Sequence, residues 1–268
     1  MTGVGAPAIR VPSPGVGLRR TAQVVGHLTA REFRIRYQSA FLGWLWALLP
    51  AVVRFVVLGV VFSALLPTSG PDYLAELAVG VLGWQWFSSG VSNTTVSPIS
   101  RRDLLAQPAL PRPVIPVVSL LTDGFDYLAG LPVLLVIVVV ETGALPVTAL
   151  LFPFLLVLQG CLTLGVGMAA AAANVRWRDT NLAVGLLLAV GIYATPVFYT
   201  SRVLTERLRT LTRLNPVGQL FEAQRQVLIQ GTVPGAGTLV ALTVVCGGVL
   251  AAGWAVYQRS SGTFLDRL

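Results

Sequence analysis

The chain contains no lysine, because all nineteen of its basic residues are arginine. A P-loop needs a lysine to reach the β- and γ-phosphates of a nucleotide, and a Schiff base needs a lysine amine, so both kinds of site are excluded. Histidine and cysteine are almost missing as well, since the sequence has only His27, Cys161 and Cys246. These residues cannot form the usual His/Cys cage for a metal ion. Both cysteines lie in apolar runs and are interpreted as small core hydrophobes.

Charge of either sign is also scarce. Charged residues make up 11% of the chain, whereas a soluble domain carries about a quarter. Apolar residues make up 54%, and the mean hydropathy is +0.76. Runs of about twenty apolar residues recur, and each is long enough to cross a roughly 30 Å hydrocarbon core. The sequence therefore predicts an all-α integral membrane protein with six transmembrane helices, at 41–66, 73–98, 114–140, 145–173, 182–199 and 238–258.

The spans lie in a predicted transmembrane domain over 39–258, which the two terminal regions flank. Residues 1–17 are rich in proline and glycine and are predicted to be a flexible tail, and 259–268 a short cytoplasmic tail. Residues 18–38 project Leu18, Val24, Val25 and Leu28 on one side of a helix and several arginines on the other. We expect this amphipathic helix to lie at the interface of the anionic cytoplasmic leaflet. The alternative is an ordinary solvated helix.

The distribution of arginine predicts that both termini are cytoplasmic. In that orientation, thirteen arginines lie inside: six in 1–40, three in 99–113, two in 174–180 and two after 258. The short outer loops 67–72 and 141–144 contain none, as the positive-inside rule requires. The exception is the outer segment 200–237, which contains Arg202, Arg207, Arg209, Arg213 and Arg225.

This outer segment carries two helical stripes that are too polar to span. Leu204, Leu208 and Leu211 recur at helical spacing, and a second stripe follows the break at Asn215 and Pro216. We predict a re-entrant helical hairpin that lines a cavity, a setting in which membranes tolerate broken helices. The alternative is two helices lying flat on the outer surface.

Ionisable residues within predicted spans mark functional candidates, since they are costly in hydrocarbon. Arg54 lies deep in the first span, with Glu76 or Glu222 as its expected partner, and a structural ion pair is as plausible as a substrate contact. Asp123 and Asp126 share one face of the third span. They fit either a polar contact to a neighbouring helix or acid and base chemistry.

Aromatic residues form two clusters. Trp84, Trp86 and Phe87 fall near the middle of the second span, where an interfacial belt is not expected. They are candidates for stacking on sugar rings in a channel, with core packing as the alternative. The second cluster, at the outer end of the fifth span, contains Tyr193, Phe198 and Tyr199.

Four ordered motifs resemble the membrane subunit of type-2 ABC exporters of polysaccharides, the family that exports O-antigen, capsule, teichoic acid and galactan. The first is the segment 31–37 with Trp46, the second Asn174-Val-Arg-Trp-Arg-Asp179, and the third Thr195-Pro-Val-Phe-Tyr199. The most specific is Asn215-Pro216 followed by Glu222, Arg225 and Gly231 at the family's offsets. Ala40 and Pro113 depart from the family pattern, which affects the details of partner docking.

The resemblance implies a homodimeric channel in a bacterial inner membrane, paired with cytosolic ABC ATPase subunits that hold ATP and magnesium. This chain would then be a permease and not an enzyme, with no metal site, no cofactor of its own and no nucleic-acid partner. The coupling loop 99–113 would contact the ATPase through Arg101, Arg102, Asp103 and Arg112. The headgroup of a lipid-linked polysaccharide would meet Arg31, Arg34, Arg36 and Tyr37 at the membrane surface, and the outer gate would contain Asn215, Pro216, Glu222 and Arg225.

Three other functions remain open from the residues alone. The same scaffold could export drugs or small amphiphiles. A membrane enzyme acting on lipid-linked sugars would need a carboxylate cluster, for which Asp123 and Asp126 are the candidates. A secondary transporter would move its substrate along an ion gradient without any ATPase.

Overall fold

The computed structural model describes residues 18–37, 72–105, 110–198 and 214–262, together with scattered positions in 49–60 and Phe264. All regular structure in these residues is helical. The helices are α1 (Leu18–Tyr37), α2 (Tyr73–Ser100), α3 (Arg102–Leu105), α4 (Val114–Thr142), α5 (Phe152–Arg176), α6 (Thr180–Ala194), α7 (Pro216–Leu228) and α8 (Ala236–Ser261). A 3₁₀ turn at Val147–Leu151 leads directly into α5.

Three helical segments are long and apolar enough to cross a membrane: Val114–Thr142, Val147–Arg176 and Ala236–Ser261. They coincide with the predicted third, fourth and sixth spans, and they make the chain a multi-pass membrane protein. Helix α2 coincides with the predicted second span and is about 42 Å long, but serine, threonine and asparagine make it more polar. The predicted first span, the tail 1–17 and the first outer stripe lie largely or wholly outside the described residues.

The predicted fifth span is wrong at its outer end. The prediction continues to residue 199, whereas α6 ends at Ala194 and Thr195 is extended. The physical reason is Pro196, which has no N–H to donate and disfavours the helical conformation in the residue before it. Helix α6 is therefore only about 22 Å long. Residues 195–198, called the outer turn below, replace its last predicted turn.

Helix α2 lies at the centre of the bundle and contacts α4, α5, α6 and α7. Its first turn is capped by α4, because Glu141 Oε2 accepts a hydrogen bond from the Ala75 amide at 2.8 Å. A carboxylate at this position satisfies a free amide and complements the positive end of the helix dipole. Gly143, at φ +82°, then ends α4 in the left-handed conformation that glycine adopts without strain.

Helix α8 has few buried residues and is attached mainly through α5. The two backbones touch at Gly165 and Gly253. A Cβ atom on Gly253 would stand 2.0 Å from the Gly165 carbonyl oxygen, and one on Gly165 would stand 2.6 Å from the Val249 carbonyl oxygen. Small residues allow helices in membranes to approach this closely.

Candidate translocation path and its two ends

A stripe of polar side chains runs along one face of α2. Its residues recur at i, i+3, i+4 and i+7 and so share one side of the helix: Gln85, Ser88, Ser89 and Ser92. The Ser89 hydroxyl donates to the Gln85 carbonyl at 2.8 Å, so its proton is satisfied within the helix while its lone pairs remain available to a ligand. The stripe was not among the predicted site residues, although its period is readable from the sequence.

The polar stripe faces α6 across a groove of about 370 Å³. The α6 wall is small and aliphatic, with Gly185, Leu188, Ala189 and Ile192. None of the residues of α6, all of which the structure describes, is buried. The exposed residues of α6 are mostly apolar, which suits either lipid or another protein as their cover. We refer to this feature as the polar groove.

The aromatic residues that were predicted to line a channel do not lie together in the structure. Trp84 borders the polar groove, while Phe87 is buried in the core beside it, with ring centroids 5.5 Å apart. Trp86 points to the other side of α2 and stacks on Tyr127 at 5.0 Å. For Trp86 and Phe87, core packing therefore describes their surroundings better than the proposed channel lining. Tyr193 is exposed and contacts Phe198, and Arg54 and Tyr199 lie outside the described residues.

The outer turn is held by side chains from two other helices. Asn215 Nδ2 donates to Thr195 Oγ1 at 2.9 Å, while its Oδ1 accepts from the Val217 amide and caps α7. Tyr73, at the start of α2, donates its hydroxyl proton to the Phe198 carbonyl at 2.9 Å. Pro216 occupies the first position of α7, where its missing N–H costs nothing. The residues of the Asn-Pro signature therefore build the turn.

Arg225 is the central contact of the outer turn. Its side chain is 1% exposed. It donates from Nη2 to the Val197 carbonyl and from Nε to the Glu76 carbonyl, each at 3.0 Å. Glu222 and Glu76 lie close enough to act on its charge. The two candidate partners of Arg54 are thus both neighbours of Arg225. Their charges and the two carbonyls help to compensate the buried guanidinium, and the Val197 carbonyl, which lies outside a helix, gains a donor.

Gly80 makes room for this arrangement. A Cβ atom at Gly80 would stand 2.7 Å from the Val197 carbonyl oxygen and 2.8 Å from Arg225 Nη2. At the other end of α7, Gly231 has a φ of +64°, which favours glycine. Glycine is therefore needed at position 80 because Val197 and Arg225 approach the helix closely there. It is needed at position 231 because the backbone is left-handed.

The opposite end of the bundle carries most of the described arginines. There α3, the start of α4, and the ends of α5 and α8 come together around a small apolar cluster that includes Leu105, Ile115, Val175 and Tyr257. Helix α1 packs beside them on the start of α4. Arginines with described side chains at this end are Arg31, Arg34, Arg101, Arg102, Arg112, Arg176, Arg178 and Arg259. The end formed by the outer turn and α7 contains Arg225.

The predicted coupling residues divide into two pairs. Arg101 lies 3.6 Å from Glu32 of α1, and Arg112 donates to the Ser261 carbonyl of α8, so both serve internal contacts. Arg102 and Asp103 are exposed on α3, which Leu105 anchors in the apolar cluster. A second exposed element lies beside them, because Trp177 is 61% exposed under the Arg176 guanidinium. The exposed pair on α3 and the loop at Trp177 are free to meet another protein.

The predicted headgroup residues are only partly described. Arg31 and Arg34 are exposed on α1. Helix α1 packs Leu28 against Val114 and Val118, and Phe33 against Phe125 at 5.1 Å. Residues further along α1 contact residues further along α4, so α1 runs beside the first part of α4. The side chains of Arg36 and Tyr37 lie outside the described residues.

Asp123 is a structural residue. It is 3% exposed, and both of its carboxylate oxygens accept hydrogen bonds from Asn93 Nδ2, at 2.9 and 3.0 Å. The polar contact to a neighbouring helix, one of the two interpretations of this aspartate, is thus confirmed. Asp126 is half-buried one helical turn further along α4. The pair does not present two open carboxylates to a common substrate.

These features are those of a membrane-embedded subunit: a bundle of apolar helices, a groove with polar side chains that is open between α2 and α6, and an arginine-rich end. The comparisons with known proteins agree. The family model described as "ABC-2 type transporter" matches residues 23–229. The O-antigen export system permease protein RfbA of Myxococcus xanthus is 30% identical over 244 residues, which cover 90% of this chain and 94% of that relative.

A protein with the same description from Klebsiella pneumoniae is 26% identical over 208 residues, covering 77% of this chain and 80% of that relative. The chain belongs to the ABC-2 type transporter family, and the resemblance found in its sequence motifs is confirmed. It is a permease subunit and not an enzyme. Membership of this family implies an ABC ATPase as its partner.

Proposed function

We propose that two copies of this chain form the channel through which an ATP-driven exporter moves a lipid-linked polysaccharide out of the cytoplasm. The observation that carries this proposal is the polar groove. Its hydroxyl and amide groups lie in an open groove between α2 and α6, on a bundle whose membrane-spanning helices are otherwise mostly apolar. Sugars present hydroxyls that exchange hydrogen bonds with such groups. A small amphiphile would instead favour a mostly apolar pocket.

A second copy accounts for the open side of the groove. The polar stripe and α6 bound it on two sides, and α6 is unburied along its whole length. A twofold pair places the same patch of each subunit against the other. Two grooves facing each other would make a polar channel between the subunits. The relatives named above are described as O-antigen export permeases, which supports a polysaccharide cargo.

The arginine-rich end supports a cytoplasmic position for both termini and for α3. The positive-inside rule places short basic loops in the cytoplasm. The loops at Arg102 and at Arg178 carry the exposed charge, and α1 lies at the same end. In this orientation the chain would have six spans. They would be the predicted span at 41–66 and the helices α2, α4, α5, α6 and α8. The membrane is then the bacterial inner membrane.

The depth of the outer turn supports a re-entrant hairpin. Asn174 donates to the Thr95 carbonyl, so Thr95 marks the level of the charged end of α5. Val197 lies beside Gly80, and the α2 segment from Gly80 to Thr95 is about 22 Å long. This is less than the roughly 30 Å hydrocarbon core. The turn would therefore lie within the membrane, where its carbonyls need the internal donors that Arg225 and Tyr73 supply.

Motion from the ATPase would enter through α3. Leu105 shares an apolar cluster with Ile115 of α4, Met168 of α5 and Tyr257 of α8, so motion of α3 would be passed on through this cluster. Arg101 also ties this loop to Glu32 of α1. ATP and magnesium would be bound by the partner. The outer turn and α7, at the far end, would then form the outer gate.

The groove can be blocked without disturbing the fold. A Cβ atom on Gly185 meets nothing within 4 Å, and Gly185 borders the polar groove. We expect Gly185→Leu to abolish most of the ATP hydrolysis that lipid-linked glycan stimulates, while the basal hydrolysis persists. The measurement uses the chain co-purified with its ATPase and reconstituted in vesicles. The matched control is Gly247→Leu, which adds the same side chain to an equally open glycine on α8.

Equal stimulation in the Gly185→Leu and Gly247→Leu proteins would show that the groove is not the path. Stimulation by an amphiphilic drug but not by glycan would favour the small-molecule exporter. Flux that follows an ion gradient in vesicles without ATPase would favour a secondary transporter.

The exposed pair on α3 should govern docking of the ATPase. We expect the double substitution Arg102→Glu and Asp103→Arg to reduce co-purification of the ATPase and to uncouple hydrolysis from glycan, because exposed charges set the register of a docked partner. The defect should be reduced at higher salt, where surface charges are screened. Arg259→Glu, which reverses an exposed charge at the end of α8, is the control. An unchanged complex would place the docking surface elsewhere.

A further inference from the structure

Two buried glutamines link α7 to α5 and α2 through successive hydrogen bonds. Gln224 of α7 donates from Nε2 to Gln159 Oε1 of α5 at 2.8 Å, and Gln159 donates from Nε2 to the Gly83 carbonyl of α2 at 2.9 Å. Both glutamine side chains are 0% exposed. We call these two hydrogen bonds the amide chain. They bring three helices together at one level of the bundle.

The amide chain meets α2 one helical turn away from the outer turn. Gly80 lies against Val197 and Arg225, and Gly83 follows it after about 4.5 Å of helix. At Gly83 the ring of Phe221 from α7 is so close that a Cβ atom on the glycine would stand 2.6 Å from Cε1 of the ring. Helix α7 therefore rests on α2 at two successive levels, one that holds the outer turn and one that is joined to α5.

The amide chain is a poor source of stability. Its neighbours along α5, such as Leu158 and Leu162, belong to an apolar cluster. Oε1 of Gln224 is buried and has no donor among the residues that the structure describes. The Gly83 carbonyl lies inside α2, where the helix supplies a donor of its own, so it does not need Gln159. Apolar side chains of the same shape at both glutamine positions would therefore cost little and would remove an unpaired oxygen.

The amide chain supplies direction, which apolar contacts lack. An amide N–H must point at its acceptor from about 2.7–3.2 Å, whereas apolar contact is non-directional. A single buried amide can fix the register of two packed helices, as asparagine does in coiled coils. Gln224 directly precedes Arg225 on α7, so the register that the amide chain fixes also decides whether Arg225 reaches the Val197 carbonyl at 3.0 Å.

We propose that Gln159 and Gln224 are positioning residues of the outer gate, which hold α7 in the one register that closes the outer turn. Helix α5 also carries Met168 and Val175 into the apolar cluster at the arginine-rich end. The amide chain thus joins α7 to a helix that reaches the opposite end of the subunit. The proposal rests on the outer gate given under Proposed function, but its test measures the position of α7 and needs no cargo.

The test measures the reaction of the Val197→Cys protein with a water-soluble maleimide, in the complex with its ATPase and in a Cys161→Ala and Cys246→Ala background. Val197 is 0% exposed, and its substitution leaves the backbone carbonyl in place. The double substitution Gln159→Met and Gln224→Met keeps the length of both side chains and removes both amides. We expect it to raise the labelling rate about fivefold, the effect of one hydrogen bond of ordinary strength on an equilibrium. The midpoint of thermal unfolding should not fall.

Two further variants separate position from polarity. Thr163→Val is the matched control, because it removes a buried hydroxyl of α5 that donates within its own helix, to the Gln159 carbonyl at 2.7 Å. Its labelling should equal that of the parent protein. Gln224→Asn keeps an amide but is one methylene too short to reach Gln159 from the same backbone position. It should raise the labelling as the double substitution does.

Unchanged labelling in the two glutamine variants would overturn the proposal. A lower unfolding midpoint or loss of the folded complex in the double methionine protein would also overturn it, since the pair would then supply stability and not position. Effects of Gln159→Met and Gln224→Met that simply add would show that the two residues act separately, which contradicts the amide chain. Failure of glycan to stimulate ATP hydrolysis in the parent protein would count against the proposed function and leave the labelling result as it stands.

Discussion

Replacement of Gly253 by alanine is expected to separate α8 from α5. The new Cβ atom would stand 2.0 Å from the Gly165 carbonyl oxygen, and backbone atoms cannot move aside as a side chain can. Overpacking of this kind costs about 1–3 kcal/mol and sometimes more, which exceeds the roughly 1 kcal/mol that alanine gains over glycine within a helix. Helix α8 has few other buried contacts with which to compensate.

The separation can be measured through Cys246, which is fully buried on α8. In a Cys161→Ala background, Cys246 should become reactive toward a membrane-permeant maleimide in the Gly253→Ala protein and remain protected otherwise. Gly247→Ala is the control, because nothing lies within 4 Å of its Cβ position. Protected Cys246 in both proteins, with equal thermal stability in detergent, would contradict the close contact of the two helices.

Replacement of Arg225 by alanine is expected to release the outer turn and to abolish export. The substitution leaves the Val197 carbonyl without its donor, at about 1–3 kcal/mol, and removes the second donor of the Glu76 carbonyl. It also leaves Glu222 and Glu76 without the neighbouring cation. We expect the midpoint of thermal unfolding in detergent to fall by about 10 °C.

Arg225→Lys distinguishes the charge from the geometry. Lysine keeps the charge but cannot present the planar fork of donors that reaches two carbonyls, so we expect partial stability and little export. Arg259→Ala removes an exposed arginine and should leave both properties unchanged. Wild-type stability and export in Arg225→Ala would show that the turn is held by other contacts.

Contacts of α7 explain why its motif contains an asparagine and an arginine. Asn215 caps the helix and binds Thr195, and Arg225 binds Val197 in the space that Gly80 of α2 leaves open. The family resemblance implied that Asn215 and Arg225 belong to an outer gate, but nothing in their spacing indicated which atoms they bind. Those atoms belong to distant segments, α2 and the outer turn, and are brought to α7 only by packing.

The polar groove shows the opposite case. The stripe at Gln85, Ser88, Ser89 and Ser92 follows the helical period, so it was available in the sequence. The sequence-based prediction named the nearby aromatic residues as channel candidates instead. In the structure, Trp84, Trp86 and Phe87 point in different directions around α2 and so have different surroundings. A helix has a fixed angular step, but which side faces a groove depends on its neighbours.

The sequence by itself determined the class of protein. The scarcity of charge, the apolar runs and the placement of arginine require helices in a membrane, since only closed backbone hydrogen bonding is stable in hydrocarbon. The tertiary structure decided the roles of Arg225 and Asp123 and the polar groove between α2 and α6. Each of these depends on contacts between residues far apart in the chain, which local patterns do not specify.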